Sequence, residues 1–81
     1  MSKWESVFFK AKNMIVLNGS PNRLAGLLDV SRQAVNIWER EQDVPIVRAL
    51  QMEKLTEGEV TWRELSPQTA IKVDEVVGYV N

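Results

Sequence analysis

The stretch SPNRLAGLLDVSRQAVNIWER, residues 20–40, has the pattern of two short helices joined by a tight turn. Ser20 is a good N-cap residue, and Pro21 is tolerated at the first helical position, where no amide donor is required. The pattern breaks at Asp29-Val30 and begins again with Ser31 as a second N-cap. The apolar face predicted for the first of these helices consists of Leu24, Ala25, Leu27 and Leu28.

The second helix is predicted to have an apolar side and a polar side. At roughly 100° per residue, its apolar side chains fall within an arc of about 100°; they are Ala34, Val35 and Trp38. The opposite arc, about 140° wide by the same rule, carries Arg32, Gln33, Asn36, Ile37 and Arg40. Guanidinium and amide groups form bidentate hydrogen bonds with guanine and adenine edges in the major groove. The sequence therefore predicts a helix-turn-helix whose recognition helix spans residues 31–40.

We predict two kinds of DNA contact for this motif. The first turn of a recognition helix enters the major groove, and an exposed isoleucine can contact a thymine methyl group. The predicted base contacts are Ser31, Arg32, Gln33, Asn36 and Ile37. The predicted phosphate contacts, which flank the helix pair, are Asn22, Arg23, Arg40 and Gln42. The alternative is an ordinary solvated helix face, and capping alone also explains Ser31.

The same stretch resembles the DNA-binding motif of the Cro-type phage transcriptional regulators. Ala25 stands where the two helices touch, Val30 lies in the turn, and Trp38-Glu39 lies near the end of the second helix. The downstream residues resemble the YdaS-like, Cro-like group of antitoxins and prophage regulators at Val44-Pro45, Arg48-Ala49-Leu50, Glu53, Leu55-Thr56, Gly58, Val60-Thr61 and Glu64-Leu65. The family usually has Gly in the turn, where this chain has Asp29, which tolerates a left-handed conformation better than most residues.

This resemblance covers about residues 14–67 and carries expectations of fold and function. It implies an all-α, compact five-helix lambda-repressor-like domain over residues 1–67, followed by a C-terminal tail over residues 68–81. It implies a sequence-specific repressor that binds a palindromic operator in double-stranded DNA as a homodimer. The alternative is an antitoxin-like module whose main partner is a protein toxin and which also regulates its own promoter.

Composition limits the other classes of function. The chain has 81 residues with no Cys and no His, so we expect no disulfide, no Cys/His zinc site, no cofactor and no enzyme. We expect no membrane span and no signal peptide, and therefore a cytoplasmic location. We also expect no small-molecule ligand. The net charge of −1 divides into +3 for residues 1–40 and −4 for residues 41–81, which predicts a modest basic face on the N-terminal half.

Three further helices are predicted outside the motif. The first is capped by Ser2, ends before Asn18-Gly19, and presents Trp4, Val7, Phe8, Ala11, Met14 and Ile15. The next begins with Pro45 at its first helical position, stops near Gly58 in a left-handed conformation, and presents Val47, Leu50, Met52 and Leu55. A short last helix starts with the capping box of Thr61 and Glu64 and closes the core with Trp62 and Leu65.

The tail over residues 68–81 admits two interpretations. Val73, Val76, Val77 and Val80 fit a helical stripe, which favours helix or irregular structure. The many β-branched residues and the alternation of apolar and charged residues over 71–74 favour an edge strand that pairs across a dimer. Dimerisation is the candidate role of this segment.

Overall fold

The computed structural model describes residues 1–80, with side chains through Gly78. Over this range it contains six α-helices and no strand, which confirms the predicted all-α class. A turn of 3-10 helix, Leu17–Gly19, connects the first two helices. The α-helices are α1 Lys3–Ile15, α2 Pro21–Leu28, α3 Arg32–Glu41, α4 Ile46–Leu55, α5 Trp62–Leu65 and α6 Pro67–Val80.

Hydroxyl side chains begin four of these helices, as the sequence predicts. The hydroxyl oxygens of Ser2, Ser20, Ser31 and Thr61 each accept a hydrogen bond from the backbone amide three residues later. Such caps satisfy one of the amides that a helix leaves without an internal partner. α1 and α5 have complete capping boxes, because Glu5 and Glu64 each accept a hydrogen bond from the N-cap amide.

Three helices end at a residue other than Gly in the left-handed conformation. These residues are Asp29 after α2, Gln42 after α3 and Glu57 after α4, with φ of 56°, 54° and 54°. The amide after each of them donates to a carbonyl five residues earlier, the pattern of a Schellman cap. The predicted left-handed turn at Asp29 is therefore confirmed. At α4 the C-cap is Thr56, and both Glu57 and the Gly58 that follows it, with φ of 83°, have positive φ, so the predicted left-handed Gly58 near the end of the helix is confirmed.

The core lies where α1, α4 and α5 meet the α2–α3 pair. The Leu65 carbonyl joins three segments, because it accepts hydrogen bonds from the Trp4 indole at 3.0 Å and from the Val44 amide at 2.9 Å. The Trp4 and Phe8 rings stack with their centroids 4.8 Å apart. The buried apolar residues are Trp4, Phe8, Ala11, Val16, Leu24, Ala25, Leu28, Val35, Trp38, Val44, Ala49, Met52, Val60 and Leu65.

Several large apolar side chains expected in the core are exposed instead. They are Met14, Leu27, Val47, Leu50 and Leu55. In α4 the buried side is formed by Ala49 and Met52 and continues into Thr56, which follows a helical spacing of three and four residues. Side-chain size therefore misled the prediction, because the small Ala49 faces the core while larger neighbours face outward. Pro45 also differs from the prediction, since it is the N-cap of α4 and the helix begins at Ile46.

The tail is helical through Val80, so the edge-strand alternative is wrong for this range, and Asn81 lies outside the described residues. Two polar contacts tie α6 to the rest of the chain. The Gln68 amide donates to the Asp43 carboxylate at 3.1 Å, and Arg63 pairs with Asp74 at 2.8 Å. Among the described helices, none is both long enough and apolar enough to cross a bilayer.

Candidate nucleic-acid interface

α3 is held against the core by its apolar side. Val35 and Trp38 are buried, and Ala34 packs at the edge of the core. α2 contributes Leu24, Ala25 and Leu28 to the same core cluster. Because Asp29 reverses the chain after α2, only residues 29–31 separate the two helices. This short connection fixes which side of α3 faces solvent.

The solvent side of α3 carries the residues that the sequence predicts for DNA contact. All five are exposed, and no acidic residue is among them: Arg32, Gln33, Asn36, Ile37 and Arg40. The two acidic residues of the helix, Glu39 and Glu41, fall outside this arc at roughly 100° per residue. Glu39 is also drawn toward α1, where it pairs with Lys12 at 3.4 Å. We call these five exposed side chains the outward face of α3.

The three arginines of the α2–α3 unit, Arg23, Arg32 and Arg40, have no carboxylate partner among the described residues. The ion pairs that are present lie elsewhere, at Lys10–Glu59, Lys12–Glu39 and Arg63–Asp74. A cation without a carboxylate partner retains its full attraction for an external anion such as a phosphate.

Arg32 is instead held by two neutral amide groups. Its Nη1 donates to Asn22 Oδ1 of α2 at 3.0 Å, and its Nε donates to Asn36 Oδ1, one helical turn further along α3, at 3.3 Å. From the sequence, Asn22 is predicted to contact phosphate and Arg32 and Asn36 to contact bases, and the contact among the three residues is not predicted. No periodicity within one helix indicates this contact, because it spans ten residues and joins two helices.

The remaining predicted site residues take up different positions. Ser31 is the N-cap of α3, and its hydroxyl accepts from the Ala34 amide at 3.1 Å. Arg23 is exposed in the first turn of α2. Gln42 lies beyond the other end of α3, where its side-chain amide donates to Glu5 Oε1 at 3.3 Å. Gln42 is thus directed toward α1, at the opposite end of α3 from Arg32.

Glu5, which accepts from Gln42 near the C-terminal end of α3, has a shifted pKa. The Ser2 backbone amide donates to its carboxylate, and this hydrogen bond, followed by the interaction with the Ser2 side chain, lowers the pKa of Glu5 below its ordinary value. The carboxylate is therefore fully ionised at neutral pH and remains an acceptor for Gln42.

Part of the chain matches a known protein-family model. Residues 12–73 match the family described as "Bacterial toxin YdaS", a range that contains α2, α3, α4 and α5 and extends into α6. The match confirms the YdaS part of the expected resemblance and reaches past residue 67, although the family description names a toxin and not an antitoxin. No curated protein and no solved structure matches the chain. Since the matched range covers most of the 81 residues, the chain belongs to the YdaS family of bacterial proteins.

Proposed function

We propose that this protein is a sequence-specific DNA-binding regulator that inserts α3 into the major groove of an operator. The observation that carries the proposal is the outward face of α3, which is exposed, free of acidic side chains and built on a helix whose opposite side is buried. A helix of about 12 Å diameter with its side chains fits the major groove of B-DNA, which is about 12 Å wide. No catalytic step is part of the proposal.

In this proposal the outward face of α3 reads the bases through its residues other than Arg40. Arg32, Gln33 and Asn36 belong to the first half of the helix, the end that a helix-turn-helix presents to base edges. Gln33 contacts adenine through its amide, and Ile37, which is 41% exposed, contacts a thymine methyl group. Exposure of a branched apolar side chain beside these polar groups is explained by such a contact.

Arg23 and Arg40 bind the phosphate backbone. They flank the base-reading residues, one from the first turn of α2 and one from the last turn of α3, and neither has a carboxylate partner within residues 1–80. Phosphate contacts of this kind orient a protein on the duplex and contribute affinity without sequence preference. The overall charge of −1 limits non-specific attraction, so binding depends on these local charges.

A second copy of the chain completes the complex in this proposal, because one recognition helix reads only a few base pairs. Two copies related by two-fold symmetry read a palindrome whose half-site centres lie about one helical turn apart, roughly 34 Å.

Selection of bound sequences from a random duplex library tests the proposal. We expect enrichment of a symmetric site with half-sites about 10–10.5 base pairs apart. The matched control is a Gln33→Ala, Asn36→Ala double variant, which keeps every arginine and should enrich a degenerate site. Absence of any enriched sequence with the wild-type protein would overturn the proposal.

The family description names a bacterial toxin and so favours a second candidate, a protein that arrests bacterial growth. Growth of a bacterial culture that expresses the chain separates the two functions. Growth arrest that persists unchanged in the Gln33→Ala, Asn36→Ala variant would support action through a protein. Growth arrest by the wild-type protein that is lost in the Gln33→Ala, Asn36→Ala variant would support action on DNA. Absence of growth arrest together with an enriched operator would support the same conclusion.

A further inference from the structure

The first turns of α2 and α3 are joined by one side chain, that of Arg32. Its guanidinium lies between two amide oxygens, Asn22 Oδ1 at 3.0 Å from Nη1 and Asn36 Oδ1 at 3.3 Å from Nε. All three residues are exposed, so these bonds form on the surface that the proposed function turns toward DNA. We propose that Asn22 is a positioning residue that holds Arg32 in the orientation that reads a guanine in each half-site. This inference rests on the proposed function.

The chemistry of the two partners supports this role. An arginine has five N–H donors, and the two bonds use one on Nη1 and the one on Nε. Three donors remain, one on Nη1 and two on Nη2. A pair of guanidinium donors matches the O6 and N7 acceptors of guanine, the commonest specific contact of arginine in the major groove. The two bonds already made therefore leave free the donors that a guanine requires.

The partners also leave the charge of Arg32 intact. A carboxylate would hold the guanidinium equally well, but it would cancel its charge and repel the phosphates of the approaching duplex. Amide oxygens are neutral acceptors, so the arginine is oriented while it keeps its attraction for DNA. A long side chain held in its bound orientation before association also loses less conformational freedom on binding.

The same geometry gives Asn36 a role in supporting Arg32 and not in pairing with adenine. A bidentate pair with adenine uses the side-chain oxygen of asparagine as an acceptor and its nitrogen as a donor. Asn36 Oδ1 already accepts from Arg32 Nε. Asn36 therefore supports Arg32 from within α3 while Asn22 supports it from α2, and the three residues act as one guanine-reading unit.

If Asn22 contacted a phosphate, its loss would change DNA binding in a different way from the loss of a positioning residue. The two roles can therefore be distinguished by measurement. Loss of a phosphate contact weakens binding to all sequences about equally. Loss of a positioning contact reduces the preference at a single base pair and leaves the other positions unchanged. Arg23, the exposed neighbour of Asn22 in the same turn, serves as the matched control for the first behaviour.

The experiment measures affinities for the duplex selected by the wild-type protein and for its single-base-pair variants. We expect Arg32→Ala to abolish the preference for one guanine, which for a bidentate pair is about 5- to 150-fold. Asn22→Ala should reduce the same preference by about threefold to tenfold, as part of that total. The Asn22→Ala, Arg32→Ala double variant should match Arg32→Ala at this base pair, because Asn22 acts only through Arg32.

Asn22→Asp provides the rescue. It keeps an oxygen acceptor for Arg32, so the guanine preference should return toward that of the wild type while affinity for all sequences falls through charge repulsion. Melting temperatures of the variants, measured in parallel, identify any loss of folding.

The inference is overturned if Asn22→Ala weakens all duplexes equally, as Arg23→Ala should, or if Asn22→Ala and Arg32→Ala affect different base pairs. Either result leaves the proposed function in place, because a selected duplex exists. Failure of the wild-type protein to select any duplex would instead remove the proposed function and this inference together.

Discussion

Replacement of Asp29 by Gly tests the helix-ending geometry on which the α2–α3 unit depends. Asp29 has φ of 56° and is exposed, and its carboxylate makes no hydrogen bond or ion pair with other described residues. The left-handed conformation costs an ordinary L-residue roughly 1–2 kcal/mol, and Asp somewhat less. The additional freedom of Gly in the unfolded chain costs about 0.4–1 kcal/mol. A negative charge at a helix C-terminus also opposes the helix dipole, so its removal is favourable.

We therefore expect Asp29→Gly to stabilise the protein by about 0.5–1 kcal/mol. For a domain of this size the melting temperature should rise by roughly 2–8 °C. The matched control is Asp29→Ala, which also removes the carboxylate but keeps a Cβ in the left-handed conformation, and it should be less stable than Asp29→Gly. Urea and thermal unfolding followed by circular dichroism measure both. An Asp29→Gly protein less stable than the wild type would refute the reasoning and assign a stabilising contact to the carboxylate.

Three further predictions follow from burial, helix propensity and ionisation. Trp38→Ala should lower the free energy of unfolding by about 3–5 kcal/mol, since Trp38 is 5% exposed. Ile37→Ala, at an exposed position, should change the free energy of unfolding by less than about 0.5 kcal/mol. Equal melting temperatures of the two variants would contradict the orientation of α3. Gly26→Ala should stabilise α2 by about 0.5–1 kcal/mol, because a Cβ there meets no atom within 4 Å, and destabilisation in urea unfolding would refute this. Ser2→Ala should raise the pKa of Glu5, as measured by an NMR titration. The lowered pKa of Glu5 stabilises the folded protein at pH values above the ordinary pKa of Glu, and this stability is lost as the pH falls through the pKa of Glu5 in the folded protein.

Much of the fold could be predicted from local signals in the sequence. The hydroxyl N-caps at Ser2, Ser20, Ser31 and Thr61 act within three residues of themselves, so their effect on helix starts depends on no distant contact. The buried side of α3 followed from helical periodicity, because Val35 and Trp38 are both apolar and large.

The parts that were missed depend on contacts between helices. In α4 the sequence offers apolar residues on more than one side, and only packing against α1 and α5 selects Ala49 and Met52 over Val47 and Leu50. The strand propensity of the tail did not prevail, because the tail forms a helix that one hydrogen bond and one ion pair attach to the rest of the chain.

In the candidate site, the exposure of all five outward residues was predicted from helical spacing alone. The contact between Asn22 and Arg32 was not, because it requires the angle between α2 and α3. Side-chain identity indicates which groups are present, and the relative placement of the helices determines which of them can act together.

The central claim is that the outward face of α3, apart from Arg40, reads bases while Arg23 and Arg40 bind phosphates. The most direct measurement compares Gln33→Ala with Arg23→Ala on the selected duplex and on random duplex DNA at several salt concentrations. Gln33→Ala should cost roughly 1–3 kcal/mol on the selected duplex and little on random DNA. Arg23→Ala should weaken both about equally and lower the slope of log affinity against log salt by about one unit. Full preference for the selected duplex in Gln33→Ala would contradict the claim.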